Sequence, residues 1–174
     1  MAIQQCFTDS EKEKIRRFAE MLTPSNWNVF LDYKHFKEEP GTLNIYLDIR
    51  VAHSEKEPNF YGMVHGGMNF LKGVASIHVV LQPQITKWKK LILHEFAHVA
   101  VYRWIAWKTK VYKKPLADVS RLGCYFYLSP KGGKAYSPDM DRETKRALFS
   151  QHGKAFHWAH EIFKKRAKKL TMIC

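Results

Sequence analysis

The chain contains 174 residues, of which 45% are hydrophobic and 26% are charged. This composition is typical of a globular protein and too apolar for an intrinsically disordered chain. Lysines and arginines number 29 against 16 aspartates and glutamates, which gives a formal net charge of +13. Three widely spaced cysteines argue against a disulfide framework and exclude a four-cysteine zinc ribbon. The length suits one domain, expected over residues 1–174 with a basic insertion around residues 108–140.

The N-terminal sequence MAIQQCFTDSEKE lacks the basic and apolar segments that mark a signal peptide. The most apolar long window, residues 91–107, predicts a buried helix rather than a membrane span, because it contains ionisable side chains. These side chains are His94, Glu95, His98 and Arg103. With so few cysteines, the reducing interior of a cell is the simpler expectation for the compartment of this protein. We therefore expect a cytoplasmic or nuclear protein with no membrane partner.

The first predicted element is an amphipathic helix over residues 10–22. Ser10 and Glu13 have the spacing of a capping box, and the Thr-Pro-Ser sequence at residues 23–25 ends the helix. Its apolar stripe, which should face the core, consists of Ile15, Phe18, Ala19 and Leu22.

Four strand-forming segments follow in the sequence. Residues 27–33 favour a strand, and strict apolar–polar alternation predicts a second strand over residues 43–51. Residues 60–71 have the pattern of a hairpin that turns at the two glycines at positions 66 and 67. Residues 74–81 predict a further strand, which Gln82-Pro83 closes.

The C-terminal half is predominantly helical in pattern. A long helix is predicted over residues 86–108, then a short helix at 116–122 and a strand at 124–128. A last helical segment is predicted over residues 142–170, with a break at His152-Gly153. The order of the predicted elements, one helix, then strands, then helices, indicates an α+β fold. We expect a small, mainly antiparallel sheet packed on the long helix and the C-terminal helices.

The long helix contains an HExxH motif at His94, Glu95 and His98. Residues four apart lie on one face of a helix, so two imidazoles can bind one zinc ion at about 2.0–2.1 Å. Glu95 can then reach a water molecule without occupying a ligand position and can accept its proton. The apolar surroundings favour a functional site, because burying three ionisable side chains is costly without a purpose.

A catalytic zinc ion requires a third protein ligand. Trp104 stands where the extended metzincin motif has histidine, which excludes that class. The best candidate is His152, because Gly153 allows a sharp turn and the apolar residues that follow can anchor the segment. The competing candidates are His157, His160 and Glu161, followed by Glu143 and Cys124.

These segments resemble the SprT-like zinc metalloproteases, a family that includes the Spartan type, which cuts proteins covalently crosslinked to DNA. The resemblance lies in VASIHVVLQPQITKWKKLILHEFAH, which has the family's strand, loop and helix, and in HGKAF further along. It implies a zincin-like fold, zinc ligands at His94, His98 and His152, and Glu95 as catalytic base. It also implies a zinc metalloendopeptidase whose protein substrates are nucleic-acid-associated or crosslinked to DNA.

The net charge predicts a nucleic-acid partner, DNA or RNA, because basic clusters alternate with aromatic residues that can stack on bases. One cluster follows the HExxH motif and another lies near the C-terminus. The candidate contacts are Lys108, Lys110, Lys113, Lys114, Lys164, Lys165, Arg166, Lys168 and Lys169.

Two functions compete at this point. A zinc metallopeptidase would pair an extended substrate with the strand at residues 74–81 by β-augmentation. His157 or Tyr136 would stabilise its oxyanion. The alternative is a nucleic-acid-binding protein on a zincin-like scaffold, with a structural zinc and no proteolysis. The intact Glu95 favours the peptidase, because a structural zinc site needs no base.

Overall fold

The computed structural model describes residues 6–37, 39, 42–51, 62–69, 74–83, 86–108 and 152–173. These residues form three helices and four strands, and the predicted α+β class is confirmed. In chain order the elements are α1 (Asp9–Leu22), β1 (Trp27–Phe30), β2 (Leu43–Ile49), β3 (Gly62–Asn69), β4 (Val74–Leu81), α2 (Trp88–Lys108) and α3 (Lys154–Ile173).

The four strands form one sheet in the order β1-β2-β4-β3. β1 pairs with β2 and β2 with β4 in parallel, whereas β3 pairs with β4 antiparallel. The prediction of a mainly antiparallel sheet is therefore wrong for the described strands. The reason lies in which strands are neighbours. β4 lies between β2 and β3, so it pairs with β2, which runs in the same direction, and β1 also runs in the same direction as its neighbour β2.

The predicted hairpin at Gly66-Gly67 is also wrong. β3 continues through both glycines, which pair with Ile77 and Ser76 of β4. The antiparallel pair is instead β3 with β4, from Gly62 opposite Leu81 to Asn69 opposite Val74. Two adjacent glycines favour a tight turn locally, but here eight consecutive pairs along β4 stabilise the extended conformation.

α1 begins at Asp9, one residue earlier than predicted, and a different capping box precedes it. Thr8, not Ser10, is the N-cap: its hydroxyl accepts a hydrogen bond from the Glu11 amide, and the Glu11 carboxylate accepts one from the Thr8 amide. Glu13, the predicted partner of Ser10, binds Arg16 instead. The predicted apolar stripe is buried, and the helix ends at Thr23 as predicted.

The core lies between one face of the sheet and the helices. Alternate residues of β2 and β4 are buried on this face, and apolar residues of α2 and α3 pack against them. Asn44 is the buried exception on β2, and its side-chain amide donates to the Lys37 carbonyl and accepts from the Lys37 amide. The central members of the core are Leu43, Ile45, Leu47, Ile77, Val79, Leu81, Ile92, Phe96, Phe156 and Phe163.

The element boundaries otherwise differ from prediction by a few residues. β4 has the predicted bounds, whereas β1 ends at Phe30, β2 ends at Ile49 and α2 begins at Trp88. Among the helices of the described ranges, none is long and apolar enough to cross a membrane.

Several predicted features lie outside the described residues. They are the helix at residues 116–122, the strand at 124–128, most of the basic insertion around 108–140, and the helical segment from residue 142 to residue 151.

Candidate metal centre

α2 holds the HExxH motif in the conformation that the sequence predicts. His94 and His98 lie one helical turn apart, with their Nε2 atoms 3.3 Å apart. The helix is fixed by residues buried in the core, among them Ile92 and Phe96, and the Phe96 ring packs against Phe163 of α3. Since this packing sets the rotation of α2, it also sets the direction in which both imidazoles project.

His152 completes the cluster from a distant part of the sequence. It lies two residues before α3, and its Nε2 atom is 3.2 Å from Nε2 of His94. One ligand atom from each of His94, His98 and His152 lies within 4.8 Å of the other two. The predicted set of three histidines is therefore brought together, although His152 lies 54 positions after His98 in the sequence.

These separations fit a tetrahedral metal ion. Two nitrogen ligands at about 2.0–2.1 Å from a tetrahedral centre lie about 3.3–3.4 Å apart. The two measured Nε2 separations, 3.3 and 3.2 Å, are close to that value. Three imidazole ligands suit a transition-metal ion such as zinc better than they suit magnesium or calcium, which prefer oxygen ligands. The described residues can thus hold one metal ion through three histidines.

Phe156 supports all three imidazoles. Its ring centroid lies 4.9 Å from that of His94, 4.6 Å from that of His98 and 4.8 Å from that of His152. The side chain is buried in the core at the first turn of α3. Phe156 therefore fixes the three rings relative to one another, a role more specific than the core anchor expected from the sequence.

The other candidate ligands do not join this cluster among the described residues. The ring of His160 lies farther off, 6.3 Å from that of His94, and stacks on Phe156. His157 is exposed, and Glu161 is exposed and paired with Lys164 at 2.7 Å. The remaining candidates, Glu143 and Cys124, and the candidate oxyanion stabiliser Tyr136 lie outside the described residues.

The surroundings keep two of the imidazoles in the form that binds a metal. Burial is the main cause that lowers the pKa of His98 to about 3, and the neighbouring His94 and His152 lower it further. Burial, followed by His152 and His160, also lowers the pKa of His94. Both rings are therefore neutral at pH 7, with nitrogen lone pairs available for coordination.

Glu95 follows His94 on α2 and is only 4% exposed. Burial raises the pKa of its carboxyl group to about 7. A general base is most effective when its pKa is near the working pH. The position of Glu95 thus suits proton transfer near neutral pH.

Gly62, the first residue of β3, lies directly against the Glu95 side chain. A Cβ atom on this residue would lie 2.7 Å from Cδ and 2.9 Å from Cγ of Glu95, closer than real Cβ contacts. Only glycine therefore leaves room for the carboxylate in this conformation. Sequence reasoning missed Gly62, because no local pattern links it to a residue 33 positions further along the chain.

Five predicted nucleic-acid contacts lie on α3, and all five are exposed. Arg166 has a structural role as well: it donates a hydrogen bond to the Leu22 carbonyl at 2.9 Å and lies over the Phe163 ring. This contact fixes α3 against the end of α1. The five residues are Lys164, Lys165, Arg166, Lys168 and Lys169.

The other four predicted contacts are not brought to a described surface. Lys108 is the last residue of α2, and Lys110, Lys113 and Lys114 lie outside the described residues.

Comparisons with known proteins identify no relative. No protein-family model matches the chain, and no curated protein or solved structure matches it. The resemblance to SprT-like proteases therefore stays a prediction, and the functional argument rests on the site itself.

Proposed function

We propose that this chain is a zinc-dependent metallopeptidase of the SprT-like type, with a zincin-like arrangement of helix and sheet. Its substrates are proteins associated with nucleic acid, including proteins crosslinked to DNA. The observation that carries the proposal is the cluster of His94, His98 and His152 with the buried carboxylate of Glu95 beside it. Three histidines alone could serve a structural metal, but a buried carboxylate with no described ion-pair partner is costly without a chemical role.

In this proposal the three histidines hold zinc, and Glu95 performs the proton transfers. When bound by the three histidines, zinc would supply the Lewis acidity needed to polarise a scissile carbonyl and to acidify a water molecule. The Glu95 carboxylate accepts the proton of that water and delivers it to the leaving amine. Gly62 and the core beneath α2 hold the carboxylate in place, so little reorganisation accompanies each transfer.

The strand that could bind substrate is β3 rather than the predicted β4. β4 has β2 on one side and β3 on the other, so its backbone groups are already paired. β3 is at the edge of the described sheet and begins at Gly62, against Glu95. An extended peptide that adds to this edge would pass close to the base, and backbone pairing would make its sequence specificity low.

The test is cleavage of a DNA-binding protein, with and without DNA, before and after chelation and restoration of zinc. We expect cleavage to require zinc and to increase when DNA holds enzyme and substrate together, by up to about 10²-fold. Equal cleavage with and without DNA would reduce the proposal to a general peptidase. No cleavage by the zinc-loaded protein would contradict it.

A second candidate function is nucleic-acid binding with a structural metal and no proteolysis. The net charge of +13 and the exposed basic residues of α3 favour it. The two candidates differ in their requirement for Glu95, because only the peptidase needs a base. Two results would support this second candidate: the protein binds DNA without cleaving a protein substrate, and substitution of Glu95 leaves its affinity for DNA unchanged.

The contact of Gly62 with Glu95 leads to a further prediction. Gly62→Ala should lower cleavage by about 10²-fold, the cost of displacing a catalytic group by about 1 Å. Zinc content should not change, because the atoms nearest to a Cβ atom added at Gly62 all belong to the Glu95 side chain and not to a histidine ligand. Cleavage rate and zinc content are measured on the same preparation. Gly66→Ala on the same strand is the control for the general cost of replacing a strand glycine, and equal losses in both variants would refute the positioning role.

A further inference from the structure

An exposed tryptophan lies on the basic outer face of α3. Trp158 is 67% exposed, although the opposite face of the same helix is buried in the core through Phe156, Ala159 and Phe163. Exposing a ring of this size to water leaves a large apolar area unburied, so the residue is suited to contact a partner. Sequence reasoning did not single out Trp158, although the helical spacing of Phe156, Ala159 and Phe163 already indicates that Trp158 lies on the other face of α3.

Lysines line the same face. At about 100° per residue, Lys154, Trp158, Lys165 and Lys169 project within about 60° of one another, and they span about 22 Å of the helix. The three lysines are exposed. We call these four residues the Trp158 stripe. α3 carries six lysines and arginines but only one acidic residue, Glu161. Glu161 projects on the same face of α3 as the stripe, and its carboxylate is paired with Lys164.

We infer that the Trp158 stripe binds single-stranded nucleic acid, with the indole stacked on an unpaired base and the lysines on the flanking phosphates. Stacking on aromatic residues beside basic groups is how single strands bind without sequence preference. A duplex covers its base faces and leaves only the phosphates for the lysines. The inference deepens the nucleic-acid affinity of the proposed function and does not depend on proteolysis.

A membrane surface fits the stripe less well. Interfacial helices bury a continuous apolar face in lipid, but the apolar face of α3 is already buried in the core through Phe156 and Phe163. A single indole among lysines remains on the outer face. The stripe also begins at Lys154, two residues after His152, so a bound strand would lie beside the metal centre.

The experiment measures affinity for an oligothymidylate of about 12 nucleotides, within the range of single-strand site sizes, and for the matching duplex at several salt concentrations. The Glu95→Gln background is used so that proteolysis plays no part. Trp158→Ala should weaken single-strand binding by about 5- to 100-fold. It should leave the salt slope unchanged, because the substitution removes no charge. Trp158→Phe should restore part of the affinity.

Lysine variants provide the complementary result. Lys165→Gln with Lys169→Gln should reduce the single-strand salt slope by about 0.7 for each phosphate that the variant no longer neutralises. Met21→Ala, at a 52% exposed apolar residue on α1, is the control and should have no effect.

Three results would overturn the inference. They are equal single-strand affinity in Trp158→Ala and the parent, equal weakening of duplex binding by that variant, and Trp158-dependent binding to anionic phospholipid vesicles but not to the oligonucleotide. The first two would leave the nucleic-acid affinity of the proposed function intact. No binding to either nucleic acid at low salt would overturn both.

Discussion

Replacing Glu95 by glutamine is expected to lower the rate of protein cleavage by about 10²- to 10⁴-fold, the contribution of a positioned general base. Glutamine has nearly the same shape as glutamate, so it fits the space beside Gly62 and preserves the packing of α2. Its amide cannot accept the proton of the attacking water. The measurement is kcat/KM on a protein substrate, with the zinc content of each preparation determined in parallel.

The matched control is Glu161→Gln. This makes the same chemical change at an exposed glutamate of α3, where the only described ionic partner is Lys164. We expect wild-type cleavage from this variant and wild-type zinc content from both. Cleavage at the wild-type rate by Glu95→Gln would show that another group takes the proton, and the mechanism proposed for the buried carboxylate would then be wrong.

The metal centre was predictable because its geometry is mostly local. His94 and His98 need only a helix to face the same direction, and the apolar residues around them predict that helix. His152 required one further step, the presence of Gly153 before an apolar segment. What the sequence could not show is that Phe156 would contact all three rings, since that depends on how α3 packs on α2.

The sheet was harder to predict than the site, because strand order depends on long-range pairing. Alternation predicted β2, and Gln82-Pro83 marked the end of β4. Neither signal shows that β1 pairs with β2 in parallel, or that β4 inserts between β2 and β3 and so pairs in parallel with β2. The N-cap of α1 was misplaced because Thr8 and Glu11 have the same spacing as Ser10 and Glu13. In the structure Glu11 exchanges hydrogen bonds with Thr8, whereas Glu13 pairs with Arg16.

The position of His152 makes the metal centre a link between two helices. His94 and His98 belong to α2, whereas His152 immediately precedes α3. The helices also pack through Phe96 and Phe163, whose ring centroids are 6.2 Å apart. A metal ion bound by all three histidines would therefore hold the start of α3 to the middle of α2. Its binding should stabilise the folded protein, since a ligand that binds only the folded state adds free energy of unfolding.

His152→Ala is expected to weaken zinc binding by more than about 10²-fold, because losing an outer-shell partner already costs about 10- to 100-fold and this change removes a ligand. Zinc at 100 times the wild-type Kd adds about 2.7 kcal/mol to the free energy of unfolding, and most of this gain should vanish in the variant. Zinc analysis and thermal unfolding with and without zinc measure both effects. His157→Ala, at an exposed histidine outside the cluster, should behave as wild type. Full zinc occupancy in His152→Ala, with loss in His160→Ala, would transfer the third ligand to His160.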